Sequence, residues 1–325
     1  MTRSGEALQS WTQQRLASIE VRLQEAATGR TPFVTEAARH LTAAGGKRFR
    51  PALVALAAAV GRDLGVEVDD DAVERAALVV ELTHVASLYH DDVMDSAELR
   101  RAAPSANALW DNSVAIMVGD LLFARASSIV ATLGVEYVSL QAETFARLVQ
   151  GQIAELLGPK DADPLEHYLA VIADKTGSLI ATSARFGGMV AGLSEPQLDA
   201  LTQFGEEIGV VFQLSDDLID LTSDVAGKTR GTDLREGVRT LATLYVSAGD
   251  DPADAELRDL VSRPLAEPEV ARALALLEGH PTVQRAREEI IRRAEAARAL
   301  LADLPAGPAR SGLEELCTTV VSRTS

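Results

Sequence analysis

The chain has 325 residues, 47% of them hydrophobic, which is enough for a sizeable core and argues against disorder. Only 4% are aromatic while alanine and leucine abound, the composition of helices packed through small side chains. A net charge of −17 argues against a nucleic-acid partner, because phosphate backbones are bound by basic surface. The N-terminal Met-Thr-Arg-Ser-Gly-Glu lacks an apolar signal core, and no apolar run approaches about 18 residues. The expectation is a soluble, cytoplasmic protein without a membrane anchor. Cys317 is the single cysteine, which excludes an intrachain disulfide and any cysteine-based metal site.

Residues 5–27 place Leu8, Trp11, Leu16, Ile19 and Leu23 on an amphipathic helix. Ala44-Gly45-Gly46-Lys47-Arg48-Phe49-Arg50-Pro51 reads as a turn feeding a helix through Pro51, a favoured first-turn residue. Lys47, Arg48 and Arg50 beside a helix N-terminus are an anion site in outline, or a solvated basic turn. From Ala76 to Tyr89 the chain is apolar without Gly or Pro, a buried helix expected over 70–95. It ends in His90-Asp91-Asp92-Val93-Met94-Asp95. Asp91 and Asp95, four apart, share one helix face. Three acids crowded there are costly to bury unpaired, and a divalent cation removes that cost. Arg100 and Arg101 follow closely, then a loop with Pro104.

Helices are expected over 111–132 and 136–157, the second with Gly151-Gln152, where a small residue admits a neighbouring helix. At Lys175-Thr176-Gly177-Ser178 a helical pattern breaks and then resumes through Val190. A lysine at such a break reaches an anion, or the segment is a plain helix junction. Residues 196–222 repeat the acidic triplet as Asp216, Asp217 and Asp220 after another apolar run. Two copies of Asp-Asp-x-x-Asp, each closing an apolar helix, are hard to explain as solvated surface. The Gly- and charge-rich stretch 226–237 reads as a mobile flap over the site. Its Gly227-Lys228-Thr229 is not a nucleotide P-loop, because Thr222 stands where the first glycine belongs and a helix precedes it. Residues 238–321 are amphipathic helix with loops at 249–253, 263–269 and 304–308, and carry no chemical motif. No strand alternation is evident. Chemically telling residues come from both halves, so one all-α domain over 1–325 is expected.

Gly45–Pro51, His84–Arg101, Gly151-Gln152, Lys175-Thr176, Phe212–Asp220 and Gly227–Asp233 together resemble the trans-polyprenyl diphosphate synthase family, over roughly residues 30–245. The resemblance implies the isoprenoid synthase fold, a single large helical bundle around a deep central cavity with the acidic motifs facing each other at its mouth. It implies a Mg²⁺-dependent prenyltransferase that condenses an allylic diphosphate with isopentenyl diphosphate into a long-chain all-trans polyprenyl diphosphate. By that resemblance three Mg²⁺ ions bridge Asp91, Asp95 and Asp216 to the allylic diphosphate, supported by Asp92, Asp217 and Asp220. Carboxylates repel a polyanion unless hard divalent cations sit between them. Arg100, Lys175 and Lys228 resemble the residues that hold the same diphosphate from the other side. Lys47, Arg50, His84 and Arg101 resemble the isopentenyl diphosphate pocket. Thr176 and Gln213 are candidates to stabilise the allylic cation left by the departing pyrophosphate, and His90 is not assigned as a base. A homodimer is a family expectation, as is peripheral membrane contact for product release. The chain departs from the family at Ala102, Val238 and Ala242, none of which removes an assigned charge.

In this family bulky aromatics before the first motif stop product growth. Thr83, Ala86 and Ser87 are small, and eight helical residues span about 12 Å, so the cavity is expected to stay open that far and the product to be long. Phe123, Leu133 and Phe145 are candidates for the floor. Three rivals are weighed. A class I terpene cyclase would carry an Asn/Ser/Glu metal motif second. An HD-type phosphohydrolase, suggested by His90-Asp91 and His84, is poorly supplied by five histidines. A non-catalytic partner subunit would be expected to lose its acidic motifs.

Overall fold

The computed structural model describes residues 3–101, 103–222 and 230–323, and helices make up most of them. In chain order these are α1 (Arg3–Ala26), α2 (Pro32–Ala43), α3 (Phe49–Asp63), α4 (Asp70–Met94), α5 (Ala106–Trp110), α6 (Asn112–Val130) and α7 (Val135–Leu157). Next come α8 (Pro164–Ile172), a π-helical turn (Ala173–Gly177), α9 (Ser178–Val190), α10 (Glu195–Thr222), α11 (Thr232–Glu236) and α12 (Leu241–Ala248). The last are α13 (Ala255–Leu260), α14 (Glu267–Leu277), α15 (Pro281–Leu300) and α16 (Pro308–Ser322). The expected helices over 70–95, 111–132, 136–157 and 196–222 all form. One expectation is corrected: β1 (Leu99–Arg100) pairs antiparallel with β2 (Ala103–Pro104). Two residues per strand are too few to show alternation in sequence, and Arg101 at φ 54° makes the turn.

Side chains that cap exposed backbone donors set the helix starts. Asp69 accepts from the Asp71 N–H at 2.9 Å, and Asp163 from those of Leu165 and Glu166 at 3.0 and 2.9 Å. Prolines at or next to the first position of α2, α8 and α14 cost no helical hydrogen bond.

The chain forms two compact units. The first comprises Met1–Phe145, Leu179–Gly205 and Leu301–Leu313. Within it α4 packs on α1, α3, α5 and α6. Helices here approach through residues with little or no side chain, as the composition implies. A Cβ on Gly187 would lie 2.3 Å from the Val54 carbonyl oxygen, and one on Gly205 would lie 2.5 Å from the Ala181 Cα. The buried Tyr89 hydroxyl donates to the Ala37 carbonyl at 2.6 Å and accepts from the Leu41 N–H at 3.2 Å, tying α2 to the Asp-bearing helix.

The expectation that no apolar run approaches about 18 residues stands, since Asp120 and Arg125 interrupt α6. By length and composition α6 is long and apolar enough to cross a membrane, with a mean hydropathy of 1.6 over its best window. Its Gly119 lies so close to α4 that a Cβ would meet the His90 ring at 2.4 Å, so this face of α6 packs on α4.

The second unit comprises Ala146–Ser178, Glu206–Leu300 and Glu314–Ser325. There α12 packs on α8 and α15, and α14 on α11 and α13. Gly151 admits the π-helical turn: a Cβ on it would sit 2.7 Å from the Lys175 backbone nitrogen.

Candidate functional site

In the first unit, successive helical residues turn by about 100°, so Asp91 and Asp95 share a face while Asp92 points elsewhere. Asp91 is half-buried and Asp95 exposed, whereas Asp92 is wholly buried. Arg100, brought back by the β1–β2 hairpin, donates from Nε to Asp92 Oδ1 at 2.6 Å. Asp92 Oδ2 is buried and has no hydrogen-bond partner among the described residues. Burial raises the Asp92 pKa, and the Arg100 charge opposes that shift.

The basic residues around Gly45–Pro51 divide by role. Arg48 is bound to Glu20 at 2.7 and 2.9 Å, to Glu81 at 2.8 Å and to the Thr42 carbonyl, which makes it a brace. Arg101 donates to the carbonyls of Leu41 and Gly45. Arg50 is half-buried, and its Nε has no hydrogen-bond partner among the described residues. Burial lowers its pKa to about 10. Burial first, and then the charges of Arg50 and Arg101, push the His84 pKa well below 6.5, so the imidazole is neutral at pH 7. Lys47 is exposed. A positive cluster thus lines the segment the sequence marks as an anion site.

Of the chain-length candidates, Thr83, Ala86 and Ser87 are all buried on α4. Thr83 spends its hydroxyl on the Val79 carbonyl at 2.7 Å, and Ser87 on that of His84 at 2.8 Å. Neither directs its proton to a ligand. Phe123 and Phe145 meet with tilted rings, centroids 4.4 Å apart at 51°, and the His90 ring lies 5.6 Å from Phe123.

The second unit arranges its triplet within α10. Asp216 and Asp220 are half-buried and Asp217 is buried, the same in-and-out alternation. The Tyr168 hydroxyl on α8 donates to Asp217 Oδ2, and Gln213 Nε2 donates to Asp217 Oδ1 at 2.8 Å. Burial raises the Asp217 pKa to about 6 against the pull of these two donors. Thr176, on the π-helical turn, donates to Gln213 Oε1 at 3.1 Å. Asp220 accepts from the Asp233 N–H at 3.1 Å. Arg323 forms an ion pair with Asp216, and its guanidinium carbon lies 5.0 Å from the Phe212 ring centroid. Lys175 is bound to Glu155 at 2.5 Å. Lys228 lies outside the described residues.

Sequence reading missed Tyr168 and Arg323, one on an apolar helix without a motif and the other far from either triplet. No spacing rule could have found them. The donors that the triplets offer are hard carboxylate oxygens, which suit Mg²⁺ or Ca²⁺. Among the described residues no group of three or more His, Cys, Asp or Glu side chains is arranged to hold an ion by itself.

Residues 31–277 match the family model for polyprenyl synthetase. A nonaprenyl diphosphate synthase of Mycobacterium tuberculosis is 47% identical over 288 residues, spanning 87% of this chain and 85% of that protein. A crystal structure of geranylgeranyl pyrophosphate synthase from Corynebacterium glutamicum, complexed with calcium and isoprenyl diphosphate, superposes with a TM-score of 0.86 at 43% identity. It covers 98% of each chain. A decaprenyl diphosphate synthase from Rhodobacter capsulatus superposes with a TM-score of 0.88 at 32% identity over 99% of each chain. The chain therefore belongs to the polyprenyl synthetase family, all-α prenyltransferases that condense an allylic diphosphate with isopentenyl diphosphate.

Proposed function

We propose that this chain elongates an allylic diphosphate with isopentenyl diphosphate to a long-chain all-trans polyprenyl diphosphate, in the cytoplasm, as a homodimer without a membrane anchor. The observation that carries this reading is the repeated arrangement of each triplet, with the middle carboxylate buried and bonded and the outer two turned outward. The family model runs through segments of both compact units, which supports one functional domain over 1–325. Exposed Ile116 and Met117 on α6 support a dimer, since apolar surface of this kind favours association.

Asp91, Asp95 and Asp216 are the residues that would hold Mg²⁺, with Asp220 in support, and diphosphate oxygens would complete its oxygen donors. The relative solved with calcium and isoprenyl diphosphate supports a divalent cation here. When bound, the cations neutralise charge gathering on the departing pyrophosphate. The chain's own residues do the remainder. Arg100, Lys175 and Lys228 bind the allylic diphosphate, which requires Lys175 to exchange Glu155 for phosphate oxygens. Lys47, Arg50, Arg101 and the neutral His84 hold isopentenyl diphosphate, with His84 as a hydrogen-bonding group and not as a charge. Thr176 and Gln213 face the allylic cation, and the proton lost after condensation goes to pyrophosphate.

Long product follows from the small residues Ala86 and Ser87 below Asp91, with growth stopping at the Phe123–Phe145 pair. Chromatography of the products of the purified chain tests this. Chains longer than geranylgeranyl are expected from the wild type, and shorter ones from Ala86→Phe. A wild-type product that stops at geranylgeranyl, or an unchanged length in the variant, would overturn the assignment of length.

A further inference from the structure

A hydrogen-bonded chain in the second unit has a direction that its chemistry fixes. Ionised Asp217 has no proton to donate, so both of its oxygens must be met by donors. Tyr168 meets Oδ2 and Gln213 Nε2 meets Oδ1. With its NH₂ committed to Asp217, the Gln213 amide must present its oxygen to Thr176, which donates to it at 3.1 Å. The Thr176 proton therefore points at Gln213, and its remaining lone pairs are left for a positive centre. Tyr168 is buried at one end of this chain, and Thr176 is half-buried at the other.

We infer that Tyr168 is a positioning residue for prenyl transfer, acting through Asp217 and Gln213 to hold Thr176 as an acceptor toward the allylic cation. Asp217 is on this account an anchor of the polar chain and not a metal ligand, since it is buried and each of its oxygens is held by a donor. The inference rests on the proposed prenyl-transfer reading. Tyr168 touches no reacting atom, so its effect falls on the rate of the step after substrate binding. Without the hydroxyl, Asp217 Oδ2 becomes a buried acceptor with no donor, and the carboxylate is free to turn and release the orientation of Gln213.

The test uses the full chain with Tyr168→Phe, Gln213→Ala and the double variant, each checked for helical content by circular dichroism. Tyr168→Phe is expected to lower kcat roughly ten- to fiftyfold, the range set by one unmet buried hydrogen bond. KM for isopentenyl diphosphate and Mn²⁺ affinity, measured calorimetrically, should stay within about twofold of wild type. In the Gln213→Ala background Tyr168→Phe should cost little more, because its route of action is already gone. A kcat within twofold of wild type, a matching loss of metal affinity, or full multiplicativity of the two losses would overturn the role of Tyr168. Absence of prenyl product from the wild type would instead sink the reading of the site on which it rests.

Discussion

The two Asp-Asp-x-x-Asp motifs are identical as written and differ in how the fold settles their middle carboxylate. Asp92 is met by a cation, Arg100, at one oxygen, and its other oxygen is buried with no hydrogen-bond partner among the described residues. Asp217 is met at both oxygens by neutral donors, Tyr168 and Gln213. The first arrangement is an ion pair that carries Arg100, a residue proposed to hold diphosphate. The second is a polar chain that carries Gln213 and Thr176, residues proposed to face the cation. One sequence pattern thus supports two devices. The shared part is geometric: residues i and i+4 look outward while i+1 turns into the protein.

Breaking the shared part should cost most. Asp91→Asn and Asp216→Asn are each expected to lower kcat roughly a hundred- to a thousandfold with the fold intact, comparable to removing a main electrostatic contact. A large loss in one and none in the other, in steady-state assays, would end the symmetry. The middle positions separate the two motifs. Asp92→Ala strands Arg100 and should lower stability by about 2 kcal/mol in urea unfolding, less than a fully buried pair because Arg100 is partly solvated.

Arg323 sharpens the comparison further, since it forms an ion pair with Asp216, an outer acid of the second motif. A cation binding Asp216 must displace it. Arg323→Gln should therefore tighten Mn²⁺ binding to the diphosphate-free protein about three- to fivefold, the worth of one partly exposed ion pair. Weaker binding would mean that Arg323 assists the ion. The smallest effect concerns pH. The folded His84 pKa lies well below 6.5, so below that pH the unfolded chain binds a proton that the folded chain does not. Stability from this group is then present above about pH 6.5 and lost as pH falls through that value. Melting temperatures of wild type and His84→Gln should keep a constant gap above pH 6.5 and change it below. A gap that is flat down to pH 5 contradicts the shift.

Most of the fold was legible because it rests on local rules. The apolar Ala76–Tyr89 run, the turn feeding a helix through Pro51 and the break at Lys175 are all short-range signals, and each became the expected element. Both triplets and the Gly45–Pro51 cluster were legible for the same reason. What sequence did not show is partnership. Arg48 looks like Arg50 in sequence, yet Glu20 and Glu81 make it a brace. Tyr168 and Arg323 gain their significance from α10 residues 49 and 107 positions away in the chain. Such pairings depend on how helices pack, and no local spacing encodes them. The β1–β2 hairpin was missed for a different reason. Two residues per strand are too few for periodicity to detect.

The central claim is that both acidic triplets serve one metal-dependent transfer of a prenyl group. The most direct measurement incubates the purified chain with isotopically labelled isopentenyl diphosphate and a short allylic diphosphate, with Mg²⁺ or with a chelator, and separates the products. The account predicts labelled polyprenyl diphosphate with Mg²⁺, none with the chelator, and little from either Asp91→Asn or Asp216→Asn. Undiminished product from either variant, or release of phosphate without any carbon–carbon bond formation, would contradict it.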